Sequence, residues 1–226
     1  MARFKRLDVL NKMVESGLIP VFYEPNVDTA IKIVKACYDG GARTIEMTNR
    51  GDGAIHVFRE LENYFKKEQP EVILGVGSIV DAPTAAMYIA DGANFVVGPV
   101  LDRDTAYLCN SRKIPYMPGC GSVTEIHEAE RLGVEICKIF PGSEVGGPEF
   151  VSAVKGPCPW TMIMPTGGVD STEESVTAWF KAGVASVGMG SKLITKESVQ
   201  KKDFAVITEN VKKVLEYIKK AKKVSK

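Results

Sequence analysis

Two charged residues stand where short β-rich runs would otherwise be apolar. One run reads Thr44-Ile-Glu46-Met-Thr48 and the other Ile136-Cys-Lys138-Ile-Phe140. Side chains alternate along a strand, so if Ile45 and Met47 face one way, Glu46 faces the other; Lys138 stands in the same relation to Cys137 and Ile139. A lysine and a carboxylate buried together are costly unless they are paired or used. Pairing would make them a structural ion pair. Use would mean covalent catalysis: burial lowers a lysine pKa from ~10.4 and supplies the neutral amine that attacks a ketone. Burial also raises a carboxylate pKa, so that the group can carry protons near neutrality.

Two glycine-rich phrases add a second kind of chemistry. Pro165-Thr166-Gly167-Gly168-Val169 follows the seventh β-rich run, and Gly188-Met-Gly190-Ser191-Lys192 follows the eighth. Glycines let backbone N–H groups approach phosphate oxygens, and a following helix end adds partial positive charge. Ordinary turns also use glycine, but both phrases in these places favour phosphate. Gly75-Val-Gly77-Ser78 reads as a tight turn after the third run, with Ser78 offering a hydroxyl to substrate. It lacks the third glycine of a dinucleotide fingerprint and the Gly-Lys-Ser/Thr of a P-loop. His56 and His127 stand singly on predicted helices, and no His/Asp/Glu cluster has metal-ligand spacing, so no metal site is expected. Met162 and Met164 read as core, and Cys137 faces away from Lys138.

The elements that must position these groups alternate eight times. Predicted strands are 19–22, 44–47, 73–76, 95–98, 115–117, 136–140, 161–164 and 185–188; between them lie amphipathic stretches at 27–38, 54–67, 82–90, 105–112, 123–131, around 149–154, and 173–181. Asp39-Gly-Gly-Ala, Asp91-Gly-Ala, Leu132-Gly-Val and Ala182-Gly-Val read as helix stops before the next strand. Eight βα units in 226 residues fit a single-domain (β/α)8 barrel with an extra N-terminal helix over 3–16; an open doubly wound sheet is the competitor. In a barrel the second and sixth strands feed the same interior layer, which would bring Glu46 and Lys138 together. No composition shift marks a second domain. The expected layout is one barrel over residues 1–226, with a capping helix at 1–17 and a C-terminal helix and basic tail at 200–226.

Composition excludes several classes. Lys+Arg 29 against Asp+Glu 28 leaves a net charge of +1, with no bias toward nucleic acid or an anionic membrane. No stretch of 18 apolar residues is present, and Asp8, Asn11, Lys12 and Glu15 interrupt any signal-like run. The five cysteines are odd in number and lack a C-x-x-C pair, which argues against disulfides or zinc and for a reducing cytoplasm. Lysines from Lys201 to Lys226 read as the solvated face of a terminal helix that buries Val211, Val214, Leu215 and Ile218.

The phrases Ile45-Glu-Met-Thr-Asn-Arg50, Tyr116-Met-Pro-Gly119, Cys137-Lys-Ile-Phe-Pro-Gly142 and Pro165-Thr-Gly-Gly-Val169, in this order and spacing, resemble the 2-keto-3-deoxy-6-phosphogluconate (KDPG)/4-hydroxy-2-oxoglutarate (KHG) aldolase family. The resemblance runs from about Val14 to Leu193. It implies a metal-independent, cofactor-free barrel lyase, usually a trimer, that works through a covalent Schiff base. By position it implies Lys138 as the Schiff-base lysine and Glu46 as the general acid/base. Arg50 falls at the pyruvyl carboxylate end, and Ser78 stands where relatives commonly have threonine. Pro99 and Phe140 fall at wall positions, and Thr166, Gly167, Gly168 and Ser191 where substrate oxygens or phosphate are held, with the Gly190 amide beside them. The chain departs from the pattern at Phe22-Tyr-Glu24-Pro25, where many relatives have Leu-Arg, and at Gly98, where serine is common.

The expected function is cleavage of KDPG to pyruvate and glyceraldehyde 3-phosphate by a cytoplasmic homotrimer. The expected partner is a phosphorylated keto acid, with no nucleic acid or membrane. Alternatives are KHG or the phosphogalactonate as substrate, a phosphate-binding barrel isomerase or epimerase using Glu46 without a lysine adduct, and a non-catalytic sugar-phosphate-binding barrel.

Overall fold

The computed structural model describes residues 2–224; Lys226, the last of the predicted basic face, lies outside them. Nine parallel strand segments run β1 (Leu18–Phe22), β2 (Thr44–Thr48), β3 (Ile73–Gly77), β4 (Val96–Val97), β5 (Tyr116–Met117), β6 (Gly119–Cys120), β7 (Ile136–Ile139), β8 (Met162–Pro165) and β9 (Val187–Met189). One sheet has the order β5-β4-β3-β2-β1-β9 and the other β6-β7-β8. A bridge between Thr166 and Gly188 joins β8 to β9. On the opposite side β5 and β6 are halves of one barrel strand, parted by Pro118, which has no N–H to donate. β5 pairs with β4, and β6 pairs with β7. The ring is therefore an eight-stranded (β/α)8 barrel in which every edge is covered.

Among the described residues ten helices accompany it: α1 (Arg6–Ser16), α2 (Val27–Asp39), α3 (Ala54–Glu68), α4 (Ala82–Ala90), α5 (Arg103–Arg112), α6 (Val123–Arg131), α7 (Gly147–Lys155), α8 (Glu173–Lys181), the short α9 (Lys196–Gln200) and α10 (Phe204–Val224). Their starts are written locally. The side chains of Asn26, Asp81, Asp102, Ser122, Thr172 and Thr195 accept hydrogen bonds from the first-turn amides of α2, α4, α5, α6, α8 and α9. The predicted stops also hold, because Gly41, Gly92, Gly133 and Gly183 all take positive φ.

The N-terminal helix begins at Arg6 rather than residue 3. Residues 3–5 instead form a strap, because Arg3 is committed to tertiary bonds: its amide donates to Asn94 Oδ1 at 2.8 Å and its guanidinium to Glu62, Pro70 O and Val72 O. From α1, Val9, Leu10 and Met13 enter the barrel's lower interior and pack with Ile19, Ile73, Phe95, Met117, Ile136 and Met164. Met164 is thus core, as its position in the pattern suggests. α10 buries Ile207, Val211, Val214 and Ile218 and leaves Leu215 partly buried, and Lys222 donates to Val14 O and Glu15 O at the end of α1.

The reading of Gly75-Val-Gly77-Ser78 as a turn is corrected. Gly75 and Gly77 belong to β3, paired with Glu46 and Thr48 of β2, and only Ser78 leaves the strand, at φ 62°. Their role is steric: a side chain at Gly75 would strike the Phe95 ring, and one at Gly77 would strike the Glu46 carboxylate.

Candidate active site

The register that closes the barrel carries Glu46 and Lys138 into its interior. Glu46 pairs with Val21 of β1 and Gly75 of β3; Lys138 pairs with Gly119 of β6 and Met164 of β8. Both are almost wholly buried, Glu46 at 2% exposure and Lys138 at 4%. Cys137, by contrast, faces the surrounding helices, buried with its Sγ near Ile126 O.

Burial dominates the electrostatics of the pair. Desolvation raises the Glu46 pKa, against smaller lowering effects of Lys138 and Arg50. Desolvation lowers the Lys138 pKa; Glu46 opposes this, and Arg50 reinforces it. Both groups are therefore pushed toward their neutral forms. Lys138 Nζ lies 4.5 Å from the centre of the Phe140 ring. Glu46 Oε2 is buried with no hydrogen-bond partner among the described residues, an orphaned acceptor at the barrel's heart.

A cavity of about 590 Å³ opens at the C-terminal ends of the strands, lined among others by Thr48, Arg50, Phe140, Thr166, Gly167, Gly168, Gly190 and Ser191. The structure thus brings seven of the predicted substrate-contacting residues around one cavity, with Phe140 linking it to Lys138. Arg50 Nε donates to Ser78 Oγ at 3.3 Å, which ties Ser78 to the same mouth. Pro99 is not among the lining residues; its carbonyl fills the space beside Gly119, the register partner of Lys138.

The loop after β8 is held by the loop after β7. Gly142 N donates to Thr166 O at 2.9 Å and Ser143 N to Gly167 O at 3.2 Å. Gly167 and Gly168 take φ 87° and 76°, and a side chain at Gly168 would collide with Ser143. The Gly168 amide makes no backbone hydrogen bond among the described residues, so it remains able to donate to an anion.

Three features escaped the sequence reading or stood there only as a departure. Thr48 lines the cavity, and its Oγ1, like Thr166 Oγ1, is buried without a partner. The alternation that turns Glu46 inward turns Thr48 inward too, so the signal was present. Tyr23 also lines the cavity, its ring and hydroxyl occupying the place a side chain at Gly51 would need. Gly98 has a steric cause: a Cβ there would lie 2.9 Å from the Ile79 and Val100 carbonyl oxygens and 3.2 Å from the Tyr116 hydroxyl. His56 and His127 are exposed on α3 and α6, away from this centre.

The family model described as KDPG and KHG aldolase matches residues 9–210. The chain is 29% identical over 201 residues to the 2-dehydro-3-deoxy-phosphogluconate aldolase of Pseudoalteromonas atlantica, covering 89% of this chain and 91% of that one. It is 28% identical over 199 residues to the KHG/KDPG aldolase of Escherichia coli, covering 88% and 91%. Among solved structures, the KDPG aldolase from Legionella pneumophila, with pyruvate captured at low pH as a covalent carbinolamine intermediate, superposes with a TM-score of 0.83. That match has 28% identity and covers 91% of this chain and 97% of the other.

Proposed function

Since the chain belongs to the KDPG and KHG aldolase family, we propose that it is a class I aldolase cleaving 2-keto-3-deoxy-6-phosphogluconate to pyruvate and glyceraldehyde 3-phosphate. One observation carries the chemistry: a lysine and a carboxylate, both buried in the barrel interior, both pushed toward neutrality and each acting electrostatically on the other, with Phe140 linking the lysine to the cavity at the strands' C-terminal ends.

In this reading neutral Lys138 adds to the C2 ketone to give a carbinolamine, which loses water to an iminium ion. Glu46, directly or through a water, takes the C4-hydroxyl proton. The C3–C4 bond breaks, its electron pair flows into the iminium, and the aldehyde leaves. Protonation of the enamine at C3 and hydrolysis release pyruvate and restore the amine. Arg50, steadied by Ser78, holds the C1 carboxylate. Thr166, Ser191 and the amides of Gly167, Gly168 and Gly190 hold the phosphate, Phe140 shapes the wall, and Pro99 acts at one remove through its carbonyl beside Gly119, the register partner of Lys138. The covalent adduct makes a separate organic cofactor or metal unnecessary.

Three further parts of the reading rest on different support. One barrel domain spans 1–226, with 1–17 its cap and 200–226 its terminal helix and tail. The working form is a homotrimer, supported by the exposed Val80, Met87, Val100, Tyr107 and Val123, which follow one another on the elements from β3 to α6. Light scattering should give three times the 24.6 kDa of one chain. A cytoplasmic location agrees with a metabolic substrate, and no helix among the described residues is long and apolar enough to cross a membrane.

Borohydride trapping with pyruvate, followed by peptide mapping, tests the mechanism. A reduced pyruvyl adduct on Lys138, absent from Lys138→Ala, is the expected result. Its absence while pyruvate demonstrably binds would overturn the Schiff-base route and favour an isomerase or a binding barrel.

A further inference from the structure

The mouth of the cavity carries charges of both signs. Arg50, Lys192 and Lys196 line it, and so does Glu24, four residues before Asp28 in the loop between β1 and α2. Glu24 is half-buried, and its Oε1 accepts a hydrogen bond from Asn26 N at 2.9 Å. Asn26 is itself fixed, because its side chain caps α2 by accepting from Thr29 N. The carboxylate cannot swing away without giving up that bond.

Glu24 forms no ion pair among the described residues. Lys192 is paired with Asp170 at 3.1 Å, whereas Arg50, hydrogen-bonded to the neutral Ser78, and Lys196 keep their charge, so Glu24 offsets part of a positive mouth. Across the same cavity stand Gly167, Gly168, Gly190 and Ser191, the groups suited to an anionic terminus. Gly190 lies against β1 itself, since a Cβ there would come within 3.6 Å of Val21 O. A terminus seated on those groups therefore shares the cavity with a fixed negative charge. Repulsion there grows with the terminus charge.

We propose that Glu24 is a specificity-determining residue: it disfavours a dianionic end on the keto acid and accepts a hydrogen bond from an uncharged hydroxyl end, so that the site also takes non-phosphorylated 2-keto-3-deoxy acids. This deepens, and rests on, the aldolase reading. It works by difference, since a carboxylate that repels one terminus and bonds the other changes the ratio of their transition-state energies.

The test compares wild type with Glu24→Gln on 2-keto-3-deoxy-6-phosphogluconate and its dephosphorylated counterpart. The amide keeps an oxygen for Asn26 N, and thermal melting verifies the fold. The variant should raise kcat/KM for the phosphorylated acid about tenfold relative to the dephosphorylated one, and about 0.5 M salt should shrink the difference. Lys196→Gln should move the ratio the other way. A ratio unchanged in Glu24→Gln, or one moved equally by an uncharged change such as Gln200→Ala, overturns the proposal. Calorimetric binding of glyceraldehyde 3-phosphate against glyceraldehyde reads the same ratio without turnover. If neither acid is cleaved yet the binding ratio shifts, the aldolase reading fails and the charge selection stands; if cleavage proceeds and neither ratio shifts, the selection fails alone.

Discussion

The carboxylate of Glu46 occupies the space in which a side chain at Gly77 would begin. Two neighbouring strands thus divide one position in the barrel interior: β2 supplies the functional group and β3 supplies the vacancy. Alanine at residue 77 would displace the carboxyl without removing any chemical group. Gly77→Ala should lower kcat by about 10²-fold, the scale of a misplaced proton-transfer group, while pyruvate still forms a trappable adduct. Steady-state kinetics beside borohydride trapping separate the two effects; equal loss of both would mean that the barrel, not the carboxylate, is disturbed.

The buried pair makes stability depend on pH in two opposite ways. Glu46 has its pKa raised above the ordinary 4.5, so over the window above 4.5 the native chain keeps a proton the unfolded chain has released, and stability falls as pH rises. Lys138 has its pKa lowered below 10.5, so in the window beneath 10.5 the unfolded chain holds a proton the native chain lacks, and stability rises with pH. Urea unfolding at a series of pH values should show the acid-side decline flattened in Glu46→Gln and the alkaline-side rise flattened in Lys138→Met.

Replacing both ionisable groups together should strengthen the fold. Glu46→Gln with Lys138→Met replaces two desolvated ionisable groups by neutral ones of similar size, which is expected to add about 1–4 kcal/mol while abolishing cleavage. A double variant less stable than wild type in denaturant titration would show that the pair holds the barrel together instead.

A second buried carboxylate has no part in the chemistry. Glu62, 5% exposed, accepts from Arg3 Nε at 3.0 Å and from Asn94 Nδ2 at 3.1 Å beneath the barrel. Arg3→Met leaves it without its cation, at a cost of about 3–5 kcal/mol. Adding Glu62→Gln should recover part of that loss. Activity per folded molecule should stay at the wild-type value in both variants, as measured below the melting transition.

Much of this molecule is local and therefore legible in the chain. Alternation with period two turned Glu46 and Lys138 inward and Cys137 outward, because successive side chains on a strand point to opposite faces whatever the neighbours are. The helices at 82–90, 123–131 and 173–181 match their predicted bounds, because capping side chains and glycine stops act within a turn of the residues they terminate. Pairing across the ring is not local. That Gly75 and Gly77 are vacancies in β3 rather than a turn depends on what β2 and β4 bring beside them. That the barrel strand breaks at Pro118, leaving Gly119 opposite Lys138, depends on which neighbour each half must join. The sequence by itself determined which side chains face inward. Only the closed barrel decided which of them meet, how completely water is shut out around them, and that Glu24 stands at the same mouth, because contact and desolvation arise from strands far apart in the chain.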